Sequence, residues 1–154
     1  MTSSEEIAQA VSGQTVGTRF RDAVKARPDE VSLRWREGES LTGAWTWAEY
    51  ADRATRVAAG LRALGVQPGD RIVLLLRNRP EFYPMDTGAV LAGAAPFSIY
   101  NSSSPEQIAY QAGHSGSVVG VANDIGMLER FLKVRDELPD LRHLVVVEDR
   151  KSVV

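Results

Sequence analysis

Hydrophobic and polar residues alternate along the chain in two periods, one typical of strands and one typical of helices. Ile72–Leu76 is an unbroken apolar run, as expected for a parallel strand that is covered on both faces. Pro68-Gly69-Asp70 before it favours a turn, and Asn78-Arg79-Pro80-Glu81 after it favours the start of a helix. A second apolar segment follows at Ala94–Ile99. The pattern predicts a βαβ unit, around which the other elements are arranged.

The residues before this unit predict a helix and a hairpin. Polar and apolar residues repeat with a helical period after Thr15 and alternate with a period of two from Val31. The predicted elements are, in order, a flexible polar tail over residues 1–14, an amphipathic helix from Thr15 to Arg27, a half-buried strand at Val31–Arg36, a turn over Glu37–Thr42 and a returning strand at Ala44–Thr46.

The clearest helix prediction covers Trp47–Leu64. Thr46-Trp47-Ala48-Glu49 fits a capping box, in which the threonine hydroxyl and the glutamate carboxylate each accept a hydrogen bond from a free backbone N–H group. Apolar residues then recur at spacings of three and four, and arginines occupy the opposite face. Gly65 stands where a left-handed C-terminal cap belongs.

Strands and helices alternate from Arg71 onward. The predicted elements are a helix from about Pro80 to Leu91, whose start Pro84 delays or kinks, a helix opened by Ser104-Pro105-Glu106-Gln107 and closed by Gly113, a strand at Ser117–Val121, a helix at Ile125–Leu138 and a strand at His143–Val147. This order predicts an α/β fold with a mostly parallel sheet and helices on both faces, preceded by a helix and a β-hairpin. His143–Val147 has the apolar character of a central strand, and we expect an incomplete architecture after it.

The composition and net charge of the chain argue against several classes of function and site. The chain has 154 residues, a net charge of −2 and no cysteine. This charge gives no general attraction to nucleic acid, and no apolar run approaches the ~20 residues of a membrane-spanning helix. The lack of cysteine excludes disulfides and thiolate metal sites, and it favours a reducing, cytoplasmic location. The length suits one domain over residues 15–154.

Residues that could carry chemistry are few, and each has a structural alternative. None of the thirteen glycines forms the Gly-x-Gly-x-x-Gly or Gly-x-x-x-x-Gly-Lys pattern of a phosphate-binding loop. The candidates are His114 (helix-terminal charge or ligand), His143 (strand start or ligand), Glu148-Asp149 (solvated strand end or metal site), Ser102–Ser104 (helix cap or phosphate contact), Asn101 (turn or functional residue), and Arg77 and Arg79 (solvated rim or anion and partner contact). The structural alternative is favoured at each position.

Three stretches carry a family resemblance. Thr46-Trp47-x-Glu49, the run from Ala58 to Ile72 with its Leu-Gly-Val-x-Pro-Gly-Asp-Arg segment, and Asn78-Arg79-Pro80-Glu81 resemble the N-terminal part of adenylate-forming (AMP-binding) enzymes, the acyl-CoA synthetase and luciferase superfamily. Ala92–Tyr110 is most similar to bacterial long-chain fatty acid–CoA ligases. Pro84-Met85 departs from the usual apolar pattern. The resemblance covers residues 15 to about 148.

The resemblance implies a ligase that activates a fatty acid with ATP and Mg²⁺ to an acyl-adenylate and then transfers the acyl group to CoA. It also implies that the catalytic segments lie elsewhere: a Gly-rich loop with Pro-Lys-Gly, an aromatic-Thr-Glu segment, a ribose-binding aspartate and a C-terminal lysine. Lys25, Lys133 and Lys151 stand in no such motif. We therefore expect no catalytic, cofactor-binding or metal-binding residue in this chain, no bound cofactor and no ligase activity from it alone.

Three roles remain open for a chain of this kind. The first is the N-terminal part of a ligase, truncated or paired as half of a split enzyme with a complementary C-terminal chain. The second is a non-catalytic interaction module that pairs with a partner, or with itself, through an open sheet edge. The third is a degenerate remnant with exposed apolar surface.

Overall fold

The structure is a computed structural model that describes residues 3–37 and 39–148. The chain forms two compact units that divide between Ala51 and Asp52. The elements are α1 (Ser4–Val11), α2 (Val16–Ala26), β1 (Val31–Glu37), β2 (Ser40–Thr46), α3 (Trp47–Ala63), β3 (Arg71–Leu75), α4 (Phe82–Ala92), β4 (Ala95–Ser98), α5 (Pro105–Ser115), β5 (Ser117–Ala122), α6 (Ile125–Lys133), a 3₁₀ turn (Arg135–Glu137) and β6 (His143–Val146).

The first unit begins with a helix that the sequence analysis did not predict. Helix α1 lies within the stretch predicted as a tail, and Ser3 and Glu6 form its capping box. All of its residues are exposed, so local capping and not core burial defines it. That residues 1–14 form a flexible tail stays a prediction.

The hairpin of the first unit has longer strands than predicted. Strand β1 reaches Glu37 and β2 begins at Ser40, so the prediction of a turn over Glu37–Thr42 is wrong. Trp35 pairs with Gly43 across the ladder, and its ring packs edge-on against Trp45 at 5.0 Å between centroids. A Cβ at Gly43 would lie 2.1 Å from the Trp35 ring, which explains the glycine.

Helix α3 begins at Trp47 as predicted and ends at Ala63, one residue before the predicted Leu64. The Thr46 hydroxyl accepts a hydrogen bond from the Glu49 N–H at 3.2 Å, and the Glu49 carboxylate accepts one from the Thr46 N–H at 2.8 Å. Gly65 follows the helix with a φ of 85°, a left-handed conformation that glycine adopts without a Cβ clash. The capping box and the C-terminal glycine are therefore confirmed.

The second unit is built on a four-stranded parallel sheet in the order β4-β3-β5-β6. Alternate β3 residues point to opposite faces: Ile72 and Leu74 join a core with α3 and α4, whereas Val73 and Leu75 join a core with α5 and α6. The predicted α/β fold, with helices on both faces of a parallel sheet, is confirmed.

The ends of α5 and α6 and the start of α4 differ from the prediction. Helix α5 continues through Gly113 to Ser115 and ends at Gly116, whose φ is 61°. The predicted end at Gly113 is therefore wrong, because glycine can also stay in a helix. The predicted helix Ile125–Leu138 is α6 followed at Arg135 by a tighter 3₁₀ turn. Helix α4 begins at Phe82, which places Pro84 in the first turn, where no hydrogen bond of its N–H is lost.

Strand β6 lies at the edge of the sheet. Among residues 3–37 and 39–148 it pairs only with β5, and its residues are half-buried. The prediction that His143–Val147 is central is therefore wrong for this part of the chain. The run is apolar because β6 contacts the core on both faces, through Leu144 on one and Val145 on the other. Such a pattern is typical of a central strand, but in the described residues β6 has a neighbouring strand on one side, β5.

Candidate functional site

The candidate site is the carboxyl edge of the parallel sheet, between β3 and β5. From β3 the chain crosses to β4 on one side and then returns past β3 to β5 on the other, so the order of strands reverses between β3 and β5. Right-handed crossovers place α4 on one face and α5 on the other. In open α/β sheets, ligands bind at the carboxyl ends of the strands at such a reversal point.

Asn123 joins the two strand ends at this point. Its backbone N–H donates to the Leu75 carbonyl at 2.9 Å, and its side-chain oxygen accepts a hydrogen bond from the Arg77 N–H at 3.2 Å. The Glu148 N–H donates to the Asn123 carbonyl at 3.1 Å. Only 3% of Asn123 is exposed, so its amide is a buried polar group, and it bonds to the Arg77 N–H and to the Asp124 carboxylate.

Asp124 combines a helix cap with an ion pair. One carboxylate oxygen accepts a hydrogen bond from the Met127 N–H at 3.0 Å and so caps α6. The other lies 3.2 Å from the Arg77 guanidinium and 3.2 Å from the Asn123 amide nitrogen. Burial alone would raise the pKa of Asp124, but these hydrogen bonds and the Arg77 charge outweigh it and lower the pKa.

Arg79 and Glu81 form a second ion pair at the start of α4, with 2.7 Å between Nε and the carboxylate. The hydrogen bond to Glu81 raises the pKa of Arg79 against the effect of burial, and the charges of Glu148 and Asp124 raise it further. Burial would raise the pKa of Glu81, but the bond from Arg79 and nearby positive charge lower it. Arg77 and Arg79 are therefore each paired with a carboxylate, that of Asp124 and that of Glu81.

The loop after β4 is held to the same edge of the sheet. Arg130 of α6 donates hydrogen bonds to the backbone carbonyls of Asn101 at 2.6 Å and Ser103 at 3.3 Å. Ser104 caps α5, because its hydroxyl accepts a bond from the Gln107 N–H at 3.3 Å. The predicted capping role of Ser104 is thus confirmed, and Ser103 is buried while Ser102 is exposed.

The two histidines lie apart from this edge cluster. His114 is in the last turn of α5, not after it, and its ring stacks on Tyr110 at 5.7 Å between centroids. His143 is the first residue of β6 and is half-buried. Within residues 3–37 and 39–148, no three His, Asp or Glu side chains are grouped as a metal site.

The lysines and the chain end complete the set of sequence candidates. Lys25 and Lys133 lie in the last turns of α2 and α6, where they favour the helix dipole. Glu148 is exposed at the carboxyl edge. Asp149 and Lys151 lie outside the described residues. The structure therefore brings Arg77, Arg79, Glu148 and the loop over Asn101–Ser104 to one edge, and it places the two histidines away from that edge.

Asn123 and Asp124 are the residues of this edge that sequence analysis missed. An Asp immediately before an amphipathic helix, after a strand, is an N-cap signal that could have been read at Asp124. Asn123 carries no such signal, because its role depends on β3 and β5 lying side by side. Ser117, where β5 begins, stands 42 positions after Leu75, where β3 ends.

A cavity of about 410 Å³ opens at the opposite, amino edge of the sheet. Asp70 and Arg142 form an ion pair there at 3.0 Å. The Arg71 guanidinium donates to the carbonyls of Ser115 at 2.6 Å and Gly116 at 3.1 Å, which end α5. Arg71 therefore bonds to the end of α5, and Arg142 is paired with Asp70. We infer that the charged residues lining this cavity have a structural role.

A protein-family model described as AMP-binding enzyme matches residues 20–153. The chain belongs to this family. The resemblance stated from sequence motifs is thereby confirmed at the level of the family.

The chain covers most of one relative and about a quarter or less of two others. The chain is 37% identical over 134 residues to an uncharacterized Mycobacterium tuberculosis protein, Rv1549, covering 87% of this chain and 73% of the relative. It is 31% identical to triostin synthetase I of Streptomyces triostinicus and 27% identical to the long-chain-fatty-acid–CoA ligase heimdall of Drosophila melanogaster, covering 91% and 89% of this chain. It spans only 26% and 21% of those two proteins.

Solved structures share the fold. The Mycobacterium tuberculosis fatty acyl CoA synthetase matches 85% of this chain with a TM-score of 0.75 and 24% identity, over 26% of its own length. The N-terminal domain of FACL13 from the same species matches 87% with a TM-score of 0.77 and 23% identity, over 34% of that domain. The predicted similarity to the N-terminal region of acyl-CoA ligases is thus confirmed for the fold.

Proposed function

We propose that this chain is the N-terminal structural part of a fatty acid–CoA ligase. The observation that carries the proposal is the family match over residues 20–153 in a chain that spans about a quarter or less of the ligases it resembles. The similarity of Ala92–Tyr110 to fatty acyl ligases supports the substrate class. The proposed whole enzyme forms an acyl-adenylate from a fatty acid and ATP with Mg²⁺, and then acyl-CoA.

The residues present do not fit the nucleotide or its metal. A phosphate cradle needs backbone N–H groups freed by glycines, and the loop after β3 is Arg77-Asn78-Arg79-Pro80. The side chains of Arg77 and Arg79 are paired with Asp124 and Glu81. We therefore propose that the 154 residues supply a scaffold whose carboxyl edge is stabilised internally, and that the ATP, Mg²⁺ and CoA contacts come from other segments of a ligase.

The direct test is a thioester assay with ATP, CoA and palmitate on the purified chain. We expect no turnover above a heat-denatured sample, whereas the Mycobacterium tuberculosis fatty acyl CoA synthetase, assayed in parallel, serves as the positive control. Turnover by the purified 154-residue chain would overturn the proposal.

A second candidate is a chain that acts only together with a partner, either as half of a split ligase or as a non-catalytic interaction module. The outer edge of β6 favours it, because no strand in the described part of the chain covers that edge. Mixing the chain with a protein that carries the missing catalytic segments separates the two forms. Restored thioester formation supports the split ligase, and binding without activity supports the module.

A further inference from the structure

Most half-buried carboxylates in the second unit have a positively charged partner. In the described part of this unit the half-buried carboxylates are those of Asp70, Glu81, Asp86 and Asp124. Three of them form ion pairs, which are Asp70–Arg142 at 3.0 Å, Glu81–Arg79 at 2.7 Å and Asp124–Arg77 at 3.2 Å. Because partial burial of a charge is costly unless the charge is paired, the fourth carboxylate, that of Asp86 in α4, is the exception.

Asp86 has no partner among residues 3–37 and 39–148, where its carboxylate accepts no hydrogen bond and forms no ion pair. Burial alone acts on the group, and it raises the pKa of Asp86. Burial acts in the same direction on Glu81 and Asp124, but hydrogen bonds and a nearby arginine outweigh it there. The described residues therefore leave the charge of Asp86 uncompensated.

Asp86 lies on the side of α4 that is turned away from α3. Gly88 faces α3, since a Cβ at this position would lie 2.6 Å from the Val57 side chain. At about 100° per residue, Asp86 stands about 200° from Gly88 around the helix and shares its face with Tyr83 and Val90. Tyr83 is 47% exposed, so this face is open to solvent. A partner can reach Asp86 without displacing the contact between α3 and α4.

We propose that the Asp86 carboxylate pairs with a lysine or arginine side chain from the segments that complete the ligase. This rests on the proposed function. Charge complementarity identifies the partner, because a carboxylate without a counter-charge on an accessible helix face favours a cation, and pairing offsets the cost of its partial burial. The region matched by this chain is only 26% of the Mycobacterium tuberculosis fatty acyl CoA synthetase, so most of such an enzyme lies outside this region and can supply the cation.

The first measurement uses the isolated 154-residue chain. Asp86→Asn keeps the shape of the side chain and removes its charge, and with the charge it removes the cost of desolvation. We therefore expect the urea midpoint at neutral pH to rise. Asp136→Asn is the matched control, because Asp136 is exposed, and it should leave the midpoint unchanged. A midpoint that does not rise in Asp86→Asn would show that the carboxylate is already compensated within the chain and would overturn the proposal.

The second measurement uses the same chain with one defined partner. The partner is the Mycobacterium tuberculosis fatty acyl CoA synthetase from which the segment matched by this chain has been removed, co-expressed with the chain to allow joint folding. We expect the two to copurify and Asp86→Asn to weaken the association about tenfold, as for the loss of a partly buried charge pair. Asp136→Asn should change it less than about twofold on the same affinity scale. Added salt should weaken the natural complex more than the Asp86→Asn complex, because salt screens the ion pair.

The opposite signs of the two effects distinguish an ion pair with a partner from a role within the chain. Circular dichroism of each variant separates a binding defect from misfolding. The proposal is overturned by a lack of copurification, by unchanged binding of folded Asp86→Asn, by equal weakening in Asp136→Asn, or by a dimer of the chain alone that Asp86→Asn dissociates. The last result would make a second copy the partner. These outcomes are independent of the thioester assay, since turnover by the chain alone contradicts the proposed function whether or not Asp86 is paired.

Discussion

The carboxylate of Asp124 lies 3.2 Å from the guanidinium of Arg77 and joins the carboxyl end of β5 to that of β3. The same carboxylate caps α6 through the Met127 N–H. One side chain therefore fixes the start of a helix and the loop that follows the neighbouring strand. In this family member, the point where an open sheet commonly binds a ligand is occupied by structural bonds.

The two roles of Asp124 can be separated by substitution. Asp124→Ala removes both the cap and the ion pair, and we expect it to lower the free energy of unfolding by about 1–2 kcal/mol. Asp124→Asn keeps an oxygen that can accept the Met127 bond and removes only the charge. Because the Arg77 side chain is 64% exposed, its pair contributes little, and Asp124→Asn should cost less than about 1 kcal/mol. Urea unfolding measures both, and equal costs would contradict the capping role.

Acid should weaken this edge of the sheet. The pKa values of Asp124 and Glu81 are lowered in the folded chain, so both carboxylates contribute stability above their unfolded pKa values of about 4. That contribution is lost as the pH falls through the lowered folded values. We expect the free energy of unfolding to fall, as the pH is lowered below the unfolded carboxylate pKa values of about 4, more steeply for the natural chain than for Asp124→Asn. Parallel pH curves for the two would contradict the assignment to Asp124.

Loss of the Asn123 side chain should be costly because it is buried. Asn123→Ala leaves the Arg77 N–H without the acceptor that now lies at 3.2 Å, and an unsatisfied buried donor costs about 1–3 kcal/mol. Ser102→Ala, on an exposed residue at the same edge, is the control and should change the free energy of unfolding by less than about 0.5 kcal/mol. A cost for Asn123→Ala no larger than the control's would show that the amide does not join the two strands.

Sequence patterns predicted most of the elements because local signals and tertiary structure agree in them. The Thr46–Glu49 capping box and the apolar run of β3 depend on residues that are close in sequence, and the structure bears both out. The end of α5 was misplaced because Gly113 and Gly116 are both available. Only Gly116 takes the left-handed conformation, beside the Arg71 guanidinium.

The strand order and the edge cluster could not be predicted in the same way. A strand with core contacts on both faces has the same apolar sequence pattern whether it is central or at an edge of the sheet. For this reason the sequence predicts a central position for β6, whereas in the described part of the chain β6 is an edge strand. Asn123 acts on Arg77, 46 positions away, and no local pattern signals such a pair. Sequence analysis identified Arg77 and Arg79 from their charge. It missed Asp124, which pairs with the Arg77 guanidinium, and Asn123, which accepts a hydrogen bond from the Arg77 N–H.

Nucleotide binding gives a direct test of the scaffold proposal. We expect isothermal titration of the purified chain with ATP and Mg²⁺ to show no saturable binding, because its sequence has no glycine-rich cradle and its edge arginines are paired. The intact Mycobacterium tuberculosis fatty acyl CoA synthetase provides the positive control under the same conditions. Tight, saturable uptake of ATP by the 154-residue chain would contradict the proposal.

Two helical glycines should respond to alanine in opposite directions. A Cβ at Gly88 of α4 would lie 2.6 Å from the Val57 side chain and 2.8 Å from the Ala54 carbonyl of α3, so Gly88→Ala must separate the helices. Overpacking of this kind costs about 1–3 kcal/mol. Gly60 of α3 has no atom within 4 Å of the added methyl, and Gly60→Ala should stabilise by up to about 1 kcal/mol through helix propensity. Unfolding in urea compares the pair directly. If Gly88→Ala were as stabilising as Gly60→Ala, the close approach of α3 and α4 would be wrong.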